Sequence, residues 1–287
     1  MKTGTALFAI ILILLFLNAC QTFPQGERLL QAQKKAENSE FSPPLSTAVL
    51  YRYFTMCRVA YKPRESYKDT GWELDYFYDE ATNTLGVSII EEGKLHLSFR
   101  SSQAPGNKID LHYNLKISKR RDKIFPQNNI RGYSGFLDKY HAIRPAILKR
   151  MDMLAPDQPV VLLGHSGGGA IAAIAFMDLT QLYPEIDLVG ITYGMPRVFN
   201  WHGAAWFEQY RNKFIRIVNG RDAIPNFPPA LFGYRHIGRL IRIGHRPIYK
   251  IYSTYDHYRG YRTVLKEMLV ERGIDPEEAL SETFISN

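Results

Sequence analysis

Residues 159–163 are wholly apolar, and Leu188–Tyr193 nearly so, as expected of strands covered on both faces of a parallel sheet. Between them, Gly167–Leu182 sets Ala and Ile at helical spacing. Residues 214–218 predict a further strand, preceded by a Trp-rich helix near 201–210. Strands alternating with helices imply an α/β class, a mostly parallel, doubly wound sheet with helices on both faces. Upstream, residues 85–90 and 95–100 flank Glu92-Gly93 and read as two strands joined by a tight turn. Helical patterns cover residues 47–60, residues 136–153 and residues 258–270. Pro145 marks a kink or a start in the second of these, and residues 240–252 read as extended.

The amino terminus departs from this pattern. Lys2 precedes an unbroken apolar run over residues 6–17, too short to span a bilayer comfortably but suited to the core of an export signal. Leu17-Asn18-Ala19-Cys20 resembles the lipobox of bacterial lipoproteins. That resemblance implies a signal peptide over residues 1–19 and acylation of Cys20, each buried CH₂ contributing about 0.8 kcal/mol to the anchor. The protein is then expected at the cell envelope, and Gln21 is compatible with the outer membrane where the host has one. Residues 20–44 are polar and end in Ser42-Pro43-Pro44, a tether with a short helix expected around residues 27–36. Residues 45–287 remain for one domain, and a chain that is 45% hydrophobic can bury a substantial core.

Charge and cysteine content narrow the partners only slightly. The net charge of +8 gathers in basic runs at residues 116–123 and 235–250. Such runs can bind nucleic acid or stand as solvated faces. For an exported, lipidated chain, an anionic membrane surface is the expected partner and nucleic acid is not. Cys57 lies in an apolar, helix-like setting and is expected as a buried thiol. No His, Cys, Asp and Glu cluster has metal-ligand spacing, so neither metal nor other cofactor is expected.

The candidate chemistry sits at Gly164-His165-Ser166-Gly167-Gly168, which fits G-x-S-x-G. Three fixed letters arise by chance in roughly a tenth of chains this long, so context decides. Here they join a buried strand to a small-residue helix, where a nucleophile elbow belongs. Ser166 is the expected nucleophile, and the Gly167 N–H, at the helix start, is placed for a developing oxyanion. His165 reads as a packing residue. A serine needs a base and an orienting acid, in the chain order Ser, acid, His. Asp222 follows the 214–218 strand and takes the acid position. His236, His245 and His257 all come later, and spacing does not choose among them.

Several motifs in order resemble the class 3, or fungal-type, lipase family across residues 51–261. Leu97-Ser98-Phe99-Arg100-Ser101-Ser102 is similar to its F-R-G-[ST] segment, and Gly132-Tyr133-Ser134-Gly135-Phe136 to H-x-G-F. Thr192-Tyr193-Gly194-Met195-Pro196-Arg197-Val198 resembles T-F-G-x-P-R-V. Arg216-Ile217-Val218-Asn219, with Asp222 and Pro225, resembles R-V-V-N-x-x-D-x-V-P. The resemblance implies an α/β-hydrolase fold and a Ser166-Asp222-His257 triad. His257 is chosen because Asp256-His257-Tyr258-Arg259-Gly260-Tyr261 is similar to the family's D-H-x-x-Y, with the Tyr one place further on. Tyr234-Arg235-His236-Ile237-Gly238 matches a segment whose His is usually not catalytic. Ser102 is implied as an oxyanion donor, and residues 102–115 as a lid in which Asp110 matches an acidic position. Departures are Ser101 for Gly, Leu111 for Trp, Asn114 for Asp, Tyr133 for His and Gly167 for Leu. The implied activity is hydrolysis of a triacylglycerol or related ester. A phospholipase, a short-chain carboxylesterase, or a ligand-binding lipoprotein on a relic fold stand as alternatives.

Overall fold

Helix α1 (Thr47–Arg58) begins where the Ser46 side chain accepts the Val49 N–H, a cap that satisfies one of the helix's orphan donors. The computed structural model describes residues 45–61, 66–67, 70–100, 107–155, 158–244 and 256–280. Cys20, Ser102, His245, the signal segment and the tether with its expected short helix lie outside the described residues.

Strands β1 (Glu73–Asp79), β2 (Thr84–Glu91) and β3 (Lys94–Phe99) form an antiparallel meander. The β2–β3 turn falls at Glu92 and Gly93, both at positive φ. Strand β1 was not expected from the pattern. It lies at the sheet edge and buries only Leu74 and Phe77 among acidic and exposed positions, so its apolar signal is thin.

Helix α2 (Lys108–Leu115) leads into a short ribbon of β4 (Lys119–Arg120) and β5 (Gly132–Tyr133). Helix α3 (Ser134–Met151) runs on through Pro145. The central unit is β6 (Val160–His165), α4 (Gly167–Leu182) and β7 (Leu188–Tyr193). It is followed by α5 (Trp201–Phe207), β8 (Phe214–Asn219) and β9 (Arg239–Ile243). A π turn, Asp256–Gly260, opens onto α6 (Tyr261–Val270). The last helix therefore begins with a wide turn, whereas the sequence pattern predicts a regular helix from residue 258.

The seven strands are ordered β1-β2-β3-β6-β7-β8-β9, parallel from β3 onward. Side chains alternate across this sheet and feed two apolar layers. Val160 and Leu162 join α3 and α4 on one face, while Val161 and Leu163 join α1 and α6 on the other. Burying each such side chain stabilises the fold by about 1.5–3 kcal/mol. Cys57 is a buried free thiol in the second layer. The architecture is an α/β-hydrolase fold, with the carboxyl ends of β6 and β8 opening on one edge of the sheet.

Candidate active site

Ser166 stands between β6 and α4 at φ +57° and ψ −129°, a backbone state costing about 1–3 kcal/mol. Its N–H donates to the Tyr193 carbonyl at 2.8 Å, which ties the turn to β7. The flanking glycines are steric necessities. A β-carbon on Gly164 would meet the Gly168 backbone at 2.3 Å, and one on Gly168 would meet the Phe99 carbonyl oxygen at 2.0 Å. The strand and the helix therefore touch backbone to backbone, and the serine is forced outward.

Asp222 follows β8 in a turn closed by its own N–H donating to the Asn219 carbonyl at 3.0 Å. Its Oδ1 accepts the Ile224 N–H at 2.9 Å. His257, carried by the π turn, brings Nδ1 to 2.9 Å from Asp222 Oδ2 and Nε2 to 2.8 Å from Ser166 Oγ. Asp222 and His257 are both buried. Because Ile224 and Tyr261 also donate to Asp222, the carboxylate acts as acceptor. The His257 hydrogen then sits on Nδ1, and Nε2 is left to accept from Ser166.

Tyr261 completes the cluster. Its hydroxyl donates to Asp222 Oδ2 at 2.7 Å and accepts the Asn219 N–H at 3.1 Å. Burial, with the Asp222 charge beside it, holds the hydroxyl protonated well above the usual tyrosine range. The motif carried this residue one place late with no role attached. The π turn ends at Gly260, and Tyr261, the next residue, meets the acid.

His165 lies behind the site. Its ring stacks on that of His257 at 4.6 Å, and its Nε2 is 2.9 Å from the His257 carbonyl oxygen. Burial, reinforced by His257 and Arg58, pushes its pKa well below the usual histidine range, so it is a neutral donor that holds the His257 backbone. His236 is not part of this cluster. It bonds the Pro225 backbone, and desolvation and nearby Arg216 depress its pKa.

Asp110 is the one buried residue of α2, which otherwise exposes Ile109, Leu111 and Leu115. Asp110 pairs with Lys139 of α3 at 2.7 Å and accepts from Asn83 at 3.0 Å. Arg100 donates to the same Asn83 side chain at 2.9 Å. Removing one member of such a buried pair costs about 3–5 kcal/mol, so α2 is pinned at its first turn. Among the described residues, no three His, Cys, Asp or Glu side chains cluster so as to hold a metal.

The family model described as Lipase (class 3) matches residues 96–232, which include Ser166 and Asp222. Those residues belong to the class 3 lipase family. The match ends before His257, whose place rests on the geometry above. A lipase of Rhizopus oryzae is 32% identical over 165 residues, 55% of this chain and 40% of that protein. A lipase of Rhizomucor miehei is 33% identical over 164 residues, 55% of this chain and 44% of the relative. The chain thus spans less than half the length of these relatives.

Solved structures share the fold. A fungal lipase–inhibitor complex superposes with a TM-score of 0.63 at 21% identity, covering 77% of this chain and 94% of that one. Another, described as a triacylglycerol lipase whose catalytic centre is a serine protease triad, gives a TM-score of 0.57 at 23% identity. It covers 69% of this chain and 78% of that one.

Proposed function

We propose that the chain is a serine carboxylic ester hydrolase of lipid esters, with triacylglycerol or a related glyceride as substrate. The observation that carries this reading is the continuous line of hydrogen bonds from Ser166 Oγ through His257 to Asp222. His257 Nε2 takes the Ser166 proton as Oγ attacks the ester carbonyl, and Asp222 faces the imidazolium that forms. His257 returns the proton to the leaving alkoxide. Water, activated in the same way, then releases the acyl group and restores Ser166. Gly167 and Ser102 are the proposed oxyanion donors, Gly167 from the first turn of α4. No cofactor is required. The exposed Ile109, Leu111 and Leu115 of α2 favour a lipid substrate over a small soluble ester.

The lipobox-like Leu17-Asn18-Ala19-Cys20 supports an envelope lipoprotein acylated at Cys20. In such a protein the polar stretch at residues 20–44 would tether residues 45–287.

The reading is tested by hydrolysis of p-nitrophenyl esters from C2 to C18, with Ser166→Ala beside the wild type, and by fluorophosphonate labelling. Activity and labelling that vanish in Ser166→Ala support it, and a long-chain optimum supports lipid over small esters. A folded wild type that hydrolyses none of the series and is not labelled would instead favour a ligand-binding protein.

A further inference from the structure

The loop leaving Asp222 carries a finger, Pro228-Pro229-Ala230-Leu231-Phe232-Gly233. Its tip is strongly exposed and apolar, with Leu231 87% and Phe232 45% accessible. A single exposed leucine means little, and its surroundings give this one weight. The Lys119 ammonium donates to the Phe232 carbonyl at 2.6 Å and lies 4.9 Å from the Tyr234 ring. Arg235 donates to the Ala230 carbonyl at 2.9 Å. Burial, then the like charges of Arg131 and Arg235, lower the Lys119 pKa, so three cations share one neighbourhood. Among the described residues none of the three makes an ion pair, whereas Lys116 and Arg120 next along the chain both pair with Asp138.

Hydrogen bonds link the base of the finger to the segment that follows α2. Tyr234 donates to the Ile117 carbonyl at 2.6 Å, and the Ile117 N–H turns back on Leu115. Leu115 and Leu111 of α2 are exposed and, four residues apart, share a helix face. An apolar tip beside cations that make no ion pair among the described residues combines the two attractions that hold a protein on a charged bilayer.

The structure assigns this surface to docking on a bilayer that bears anionic lipid, with Leu231 and Phe232 inserted at headgroup level and Lys119, Arg131 and Arg235 on lipid phosphates. The assignment goes beyond the hydrolytic reading and does not need it, because binding is measured with the nucleophile removed. It also differs from the acyl anchor at Cys20, since it concerns the depth of one named side chain.

The experiment places Leu231→Trp in the full chain carrying Ser166→Ala, with the full chain carrying Ser166→Ala alone as fluorescence background. Vesicles of phosphatidylglycerol are compared with phosphatidylcholine, each with and without brominated lipid. A blue shift and bromolipid quenching at position 231 are expected with phosphatidylglycerol and fade as salt is raised. Each cation at such a surface contributes about a fivefold factor in partitioning, so Arg131→Ala with Arg235→Ala weakens the signal about 25-fold. Hydrolysis of a soluble short-chain ester by the Arg131→Ala, Arg235→Ala protein with Ser166 restored stays unchanged. Quenching that is absent, or equal on both lipids and indifferent to the two arginines, overturns the proposal. So does binding of a soluble polyphosphate at these arginines without quenching on vesicles, which would mark a site for free polyanions.

Discussion

Gly194 and Asp222 pack so closely that a β-carbon on the glycine would stand 2.6 Å from the carboxylate Oδ2. The same carbon would lie 3.0 Å from His257 Nδ1 and from the Tyr261 hydroxyl. Gly194 also has a φ of +59°, which a side chain disfavours by about 1–2 kcal/mol. Gly194→Ala is expected to fold but to lose at least about 100-fold in kcat/KM, because the displaced acid no longer aligns the histidine. Ester kinetics beside circular dichroism check this. Unchanged kinetics would mean that the acid–base pair tolerates movement.

The contributions of Asp222 and of its donor Tyr261 are separable. Asp222→Asn is expected to lower kcat about 10⁴-fold by favouring the wrong tautomer of His257. Tyr261→Phe removes one hydrogen bond to a charged acceptor, worth about 1.5–3 kcal/mol. A fall of roughly ten- to a hundredfold in kcat with little change in KM is expected. Steady-state kinetics on a soluble ester distinguish this from a merely structural role, which would lower stability and leave kcat alone.

The strained turn at Ser166 predicts an exchange of activity for stability. Ser166→Ala and Ser166→Gly both remove the proposed nucleophile, but only glycine relaxes a φ of +57°. The glycine variant is expected to be about 1–2 kcal/mol more stable than the alanine variant, measured by urea denaturation. Equal stabilities would show that the turn is not strained.

Acid sensitivity follows from two buried histidines. Burial, chiefly, lowers the His96 pKa to about 3 and the His165 pKa well below its usual value. In the unfolded chain both titrate near pH 6.5. Below that pH the unfolded state binds more protons, so stability is complete above about 6.5 and drains as pH falls, by about 1.4 kcal/mol per unit for each. His96→Gln keeps a donor for the Ile89 carbonyl that His96 Nδ1 contacts and removes one titration. Between pH 7 and pH 5 its stability should fall about 2 kcal/mol less than that of the wild type. Parallel losses in urea unfolding would show that His96 is protonated in the fold.

Much of the proposed site was legible in the sequence. The apolar runs of β6 and β7 and the small-residue helix between them identified the elbow, because strands buried on both faces leave a strong signal. Asp222 could be expected from its place after a strand. His257 could not be chosen from spacing and needed the resemblance, since His236 and His245 also follow the acid. Strand β1 escaped because an edge strand buries few residues. Tyr261 had no assigned role, since its bond to Asp222 spans 39 residues of separation, although its offset within the motif was visible. His165, read as a packing residue, also donates to a backbone carbonyl, which its sequence neighbours do not reveal.

The π turn at Asp256–Gly260 acts as a length buffer for whatever follows it. One residue added to a regular helix would swing every later side chain by about 100°, turning Tyr261, Leu265 and Leu269 away from the layer they fill. By widening a single turn, the backbone takes up the insertion on the spot and passes none of it downstream. Here His257 and Tyr261, four residues apart, both remain in contact with Asp222. A motif search that insists on a fixed gap there would overlook chains built in this way.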